Sequence, residues 1–136
     1  MTMDEARYRL SRQWWDAAEE ALGLARSAFA EERLRGALNR AYYAVFHAAS
    51  AVFVAAGRDF TKHTGLQAAV HRDLVHAGLL AVEWGQAYDR LYDSRGQGDY
   101  TADFAFTRDT VGELVASAEG LVAQLRDIEL PPGEPA

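Results

Sequence analysis

The stretch Arg40-Ala-Tyr-Tyr-Ala-Val-Phe-His47 holds an anion-binding side chain and a proton carrier seven positions apart. On an α-helix that separation is nearly two full turns, so Arg40 and His47 share one face, roughly 10 Å apart along the axis. Such a pair has the parts of an anion clamp and a proton-transfer group. The plainer alternative makes Tyr42, Tyr43 and Phe46 core aromatics, pairs Arg40 with a carboxylate on a neighbouring helix, and leaves His47 as a hydrogen-bonded core histidine. A second cluster is Tyr88-Asp-Arg-Leu-Tyr-Asp-Ser-Arg95-Gly-Gln-Gly-Asp99-Tyr100. Arg95 falls where a helix C-terminus favours a cation. Gly96 and Gly98 each disfavour further helix by about 1 kcal/mol relative to alanine, which opens the backbone and frees N–H groups that can meet a phosphate. Asp99 and Tyr100 would add a carboxylate and a phenol beside Arg95. They would serve equally as an ordinary cap, Asp99 neutralising Arg95 while Tyr100 packs.

His63, His71 and His76 invite a metal reading, but the spacing fits poorly. The zinc-protease arrangement sets two histidines four apart with a glutamate between them, whereas His71 and His76 are five apart with none. No metal site is expected. Glycine-rich phosphate loops, a serine nucleophile elbow and a dinucleotide fingerprint are all missing, so no cofactor is expected either.

The elements that must position these residues follow from apolar spacing. Trp15, Ala18, Leu22, Ala25 and Phe29 recur at intervals of three and four, predicting a helix over about 4–30. Leu38, Tyr42, Val45, Ala49 and Val52 predict a second over about 33–56, with Gly57 placed to end it. A shorter third holds Leu66, Val70 and Leu74, with Thr64 as the expected N-cap and Gly78 as the stop. A fourth holds Trp84, Tyr88 and Leu91 and ends at Gly96. The last carries Val111, Leu114, Ala118, Leu121, Leu125 and Ile128 after a cap at Thr107 or Asp109. Few residues alternate with period two, so no sheet is expected. Short connections favour antiparallel neighbours, which makes the fold all-α, an antiparallel up-down bundle of four to five helices.

Composition bounds the rest. The 136 residues suit one domain, expected over 1–129, with a Pro-rich tail at 130–136 expected to fray. Hydrophobic residues at 49% and charged residues at 25% describe a chain that folds and not a disordered one. With no cysteine, disulfides, thiolate metal sites and cysteine nucleophiles are excluded. The acidic start Met1-Thr2-Met3-Asp4-Glu5 lacks the pattern of an export signal, and a cytoplasmic location is expected. Ala41 to Gly57 is short of the roughly 20 apolar residues of a membrane span and contains His47 and Ser50, so it reads as the buried centre of a bundle. A net charge of −6 argues against general coating of nucleic acid, and any RNA contact must be local.

Asn39-Arg-Ala-Tyr-Tyr-Ala-Val-Phe-His-Ala-Ala49, Lys62-His-Thr-Gly65 and Leu91-Tyr-Asp-Ser-Arg95 with Asp99-Tyr100 occur in the order and at the separations of a known family. Over about residues 5–126 the chain resembles the HEPN domains, in particular the small stand-alone bacterial and archaeal proteins of the UPF0332-like group and their toxin–antitoxin relatives. The resemblance implies a bundle of four or five helices, usually a homodimer, often encoded beside a small nucleotidyltransferase as a toxin and antitoxin pair. It also implies that active members are metal-independent RNases, in which an arginine and a histidine four to six residues apart meet their counterparts across the dimer. Arginine would stabilise charge on the attacked phosphate, and histidine would move a proton to or from the ribose hydroxyl or the leaving oxygen. Arg95 occupies the expected arginine position, but no histidine follows it, and Tyr100 stands where one would be sought. A phenol with a pKa near 10 is a poor proton carrier at neutral pH. The expected function is therefore a dimeric binding module that docks a nucleotidyltransferase or an RNA or nucleotide ligand. The alternatives are an RNA-cleaving toxin using Arg95 with Asp99, Tyr100, His47 or His63, and a plain homodimeric adaptor.

Overall fold

The first helix begins where the sequence can satisfy its free N–H groups. Thr2 Oγ1 accepts from the Glu5 N–H at 3.1 Å while Glu5 Oε2 accepts from the Thr2 N–H at 3.3 Å, a reciprocal capping box. The computed structural model describes residues 1–95 and 106–132. Over these the chain forms α1 (Met3–Ala30), α2 (Leu34–Ala55), α3 (His63–Ala69) running into a π-turn (Val70–Val75), α4 (Val82–Ser94) and α5 (Arg108–Arg126). No strand occurs among the described residues, and the fold is all-α.

α2 is the centre. Ala37, Ala41, Ala44, Ala48 and Ala51 are fully buried and alternate spacings of four and three, a seam of small side chains that lets α1 approach closely. Ala18, Ala21, Leu22 and Ala25 are the buried face of α1. Ser11 Oγ donates to the Ala51 carbonyl at 2.9 Å, so the start of α1 meets the end of α2 and the two run antiparallel. α5 returns antiparallel to α1, with Arg108 Nη1 donating to the Phe29 carbonyl and Arg26 Nε donating to Glu119 Oε1. Val111, Leu114, Leu121 and Leu125 face inward as their spacing predicts, and the α5 cap is Thr107, whose hydroxyl accepts from the Thr110 N–H. None of the described helices is long and apolar enough to cross a membrane.

Two turns use glycine where φ is positive. Gly57 and Gly78, both at φ 80°, end α2 and the segment after the π-turn. The α1–α2 turn does not. There Glu32 takes φ 61°, and the Arg33 N–H reaches back to the Ala28 carbonyl at 2.8 Å. Other expectations shift by small amounts. Thr64 is not the cap of α3, because the helix already begins at His63 after Lys62, which makes no side-chain cap bond. Trp15 packs on the core but stays partly exposed, as does Phe46. The π-turn was not foreseen. It is marked by the His76 N–H bonding the His71 carbonyl five residues back at 2.9 Å.

Candidate functional site

Arg95 is the C-cap of α4, and its guanidinium is held by neutral groups. Nη1 donates to the Tyr92 carbonyl at 2.6 Å, and the guanidinium carbon lies 4.1 Å from the centre of the Tyr92 ring and 4.9 Å from that of Tyr42. Two phenol faces thus support the cation from below, a favourable contact for a partly desolvated guanidinium. Among the described residues Arg95 has no ion pair with a carboxylate. Asp99 and Tyr100, expected beside it, lie outside the described residues.

His63 is brought to the same place from the first turn of α3. Its Nδ1 shares a hydrogen bond of 2.6 Å with the Tyr42 phenol, and its ring stacks on Phe46 with centroids 4.3 Å apart. Tyr42 is buried at the centre of this group, touching Tyr43, Phe46, Tyr88 and Tyr92 as well as His63. Burial pushes its phenol up to about 12 against the opposing pull of Arg95. The Tyr88 hydroxyl is buried without a hydrogen-bond partner among the described residues, and burial, then the neighbouring Tyr42, raises its pKa well above the ordinary value. His63 is held below the ordinary histidine range by burial and then by the Arg95 charge. Near neutral pH it is an uncharged imidazole beside a permanent cation.

Arg40 and His47 do share a face of α2, but neither takes the partner expected of a core residue. Arg40 donates from Nε and Nη2 to Asn39 Oδ1 at 3.2 and 2.8 Å, not to a carboxylate on a neighbouring helix. Its guanidinium lies over the Tyr43 ring at 4.9 Å. His47 stacks on Trp14 at 5.3 Å, and its buried Nδ1 has no hydrogen-bond partner among the described residues. Burial lowers its pKa first, then the Arg40 charge, against an opposing effect of Glu20, with His63 adding the smallest lowering.

The remaining histidines are elsewhere. His71 Nε2 and Gln67 Nε2 both bond Asp89 Oδ1, at 2.8 and 2.6 Å, which ties the π-turn to α4. His76 is exposed. No group of three potential metal ligands occurs among the described residues.

Arg95, His63, His47 and Arg40 stand out in the sequence, whereas the aromatic residues that join them, Trp14 and Tyr92, do not. Only Trp15 fits the α1 core stripe, yet a neighbouring Trp off that stripe must face something else. Tyr92 follows the same logic on α4, four residues from the buried Tyr88 and three before Arg95.

Comparison with known proteins gives this geometry a family. The chain is 36% identical over 114 residues to a UPF0332 protein of Thermotoga maritima, covering 84% of this chain and 86% of that one. It is 30% identical over 111 residues to the Methanocaldococcus jannaschii protein named "Putative toxin MJ0605", covering 82% of each. The HEPN domain family matches residues 11–128, which include Trp14, Arg40, His47, His63 and Arg95. The chain belongs to the HEPN domain family.

Proposed function

We propose that this protein is a dimeric RNA-binding HEPN module of a toxin–antitoxin-like pair, holding a phosphate of RNA on Arg95 and associating with a small nucleotidyltransferase. The observation that carries the reading is the state of Arg95: half-buried, laid on two tyrosine rings, anchored through one N–H to a carbonyl, and without a carboxylate partner among the described residues. A guanidinium so placed keeps its other donors for an anion, and a planar fork matches a phosphate. The likeness to a protein named as a toxin supports the pairing. The lack of any histidine after Arg95 favours binding without cleavage.

One observation favours a second reading, a metal-independent endoribonuclease. His63 stands beside Arg95 and is neutral near pH 7, as a general base must be. It would take the proton of a ribose 2′-hydroxyl, whose oxygen attacks the adjacent phosphorus. The P–O5′ bond then breaks, and the leaving oxygen is protonated as a cyclic phosphate forms. Arg95 would stabilise the charge on the phosphate oxygens.

Incubating purified wild type and Arg95→Ala with total RNA in chelator separates the two, with binding and cleavage scored in parallel. Arg95-dependent retention of intact RNA supports the module. Arg95-dependent cleavage that also disappears in His63→Gln supports the nuclease. Wild type that neither binds nor cuts RNA overturns both. Co-expression with the neighbouring reading frame, followed by size-exclusion chromatography, tests the dimer and the nucleotidyltransferase partner.

A further inference from the structure

The half-exposed aromatic surface does not stop at Arg95. It continues along α2, where Tyr43, Phe46 and His47 are all only partly buried, and crosses to α1 at Trp14. Trp14 meets Phe46 edge-on at 6.3 Å and stacks on His47 at 5.3 Å. Arg40 lies over Tyr43, one ring from the Tyr42 face that carries Arg95, and repeats the arrangement of Arg95: a guanidinium over a tyrosine face, bonded to a neutral acceptor, with no ion pair among the described residues. Asn39 takes up one edge of the Arg40 fork, through Nε and Nη2, and leaves Nη1 to bind elsewhere.

The two ends belong to one continuous surface. The Tyr42 and Tyr43 rings that carry Arg95 and Arg40 meet at 5.3 Å, and His63 packs against Tyr43 at 5.9 Å and Phe46 at 4.3 Å. Both histidines are held below their ordinary range mainly by burial, so near neutral pH each presents an uncharged ring near a cation, His63 near Arg95 and His47 near Arg40. In a chain of net charge −6 this is a local basic and aromatic strip. Among the described residues, the Glu20 carboxylate opposes the lowering at His47 by raising its pKa. A cluster serving only the core would be sealed by its neighbours, yet the rings between the arginines keep a solvent-facing side.

We propose that Arg40 and Tyr43 form a second nucleotide subsite, so that a single-stranded RNA crosses α2 with one phosphate on Arg95, another on Arg40, and a base packed on the exposed side of the Tyr43 ring. The chemistry selects single strands. Every base has a π-face that stacks on aromatic or guanidinium planes, but a duplex hides those faces. The inference rests on the Arg95 reading for its first phosphate, and it adds length dependence, which a lone phosphate site would not have.

The test is competition of 5′-phosphorylated oligoadenylates, one to four nucleotides long, against a fluorescein-labelled single-stranded RNA, read by anisotropy on the full chain. Wild-type affinity should rise about tenfold as the competitor grows from one nucleotide to three. Arg40→Gln and Tyr43→Leu should each remove that gain and leave the mononucleotide affinity unchanged. Tyr43→Phe should keep it. Arg95→Gln should weaken every length alike. Among the described residues the half-buried Arg40 bonds the neutral Asn39 and lies on Tyr43, so its variant should fold, and a melting curve verifies this.

An Arg40→Gln protein that retains the length gain overturns the subsite, as does wild type with no gain, and in both cases the Arg95 reading stands. If Arg95→Gln alters nothing while Arg40→Gln removes the gain, the subsite stands and the Arg95 reading falls. Wild type that binds no oligonucleotide sinks both.

Discussion

Tyr42 and His47 stand on the same helix and answer opposite demands. The Tyr42 phenol is buried and bonded, sharing its 2.6 Å contact with His63 Nδ1. Tyr42→Phe should therefore cost about 1 kcal/mol, the usual net worth of a buried hydrogen bond. A urea titration finding no loss would mean that the bond only offsets the burial of its own atoms. His47 is instead held by stacking, with its Nδ1 left without a partner. His47→Phe should keep the contact with Trp14 and remove an unsatisfied polar atom, so stability at neutral pH should be unchanged or higher. The pH response follows from the lowered pKa values of His47 and His63, whose ordinary value is 6.5. The unfolded chain takes up protons near that pH and the folded chain resists them, so stability rises with pH in this window. The contribution is complete above pH 6.5 and is lost as the pH falls below it towards the folded values. Melting temperatures measured at about pH 7 and about pH 5 should thus differ less in His47→Phe than in wild type. An equal drop in both proteins would place the acid sensitivity elsewhere.

The helices themselves were largely legible because their apolar residues repeat at three and four and their caps are conventional, as at Thr107 and Gly57. Three features were hidden. The α1–α2 turn puts Glu32, not glycine, at positive φ, so no residue type announces it. The π-turn at Val70–Val75 has an apolar pattern that an ordinary helix would also give. The approach of His63 to Tyr42 and Phe46 depends on how α3 folds back on α2, which periodicity within one helix does not encode. The sequence offers His63 as one of several partners for Arg95, and only this docking brings both onto Tyr42. Helix docking also depends on small residues whose role shows only in contact. A Cβ added at Gly120 of α5 would stand 2.5 Å from the tip of the Trp84 ring on α4. Gly120→Ala gains roughly 1 kcal/mol of helix propensity but must displace that ring, at a typical overpacking cost of about 1–3 kcal/mol. We expect a net loss of stability with increased exposure of Trp84, visible as a red shift in fluorescence. Leu121, fully buried one residue on, is the opposite case. Leu121→Ala should destabilise by about 2–5 kcal/mol through lost contacts and a residual cavity. A loss under about 0.5 kcal/mol would be incompatible with α5 facing the core.

At the scale of the whole molecule, the charge of −6 and the strip from Arg95 to Arg40 pull in different directions. The net negative charge opposes polyanions, and on the proposed reading the strip supplies the local attraction. Binding of a short RNA should weaken with salt as for one or two phosphates, so the slope of log K against log salt should be about −0.7 to −1.4. Its value in Arg40→Gln should be smaller than in wild type by about 0.7, one phosphate's share. The largest interface in the bundle joins α1 to α2, which are neighbours along the chain, whereas α5 packs on both from the far end of the sequence. A hairpin of adjacent helices loses little entropy when it closes, so it can form early, and α5 must wait for a surface to dock on. The order of these events makes a kinetic forecast. Leu121→Ala should accelerate unfolding while leaving the refolding rate nearly unchanged, whereas loss of a buried α2 side chain such as Leu38 should slow refolding. The helix that contributes no residue to the RNA strip would then be the one that governs how long the folded protein lasts.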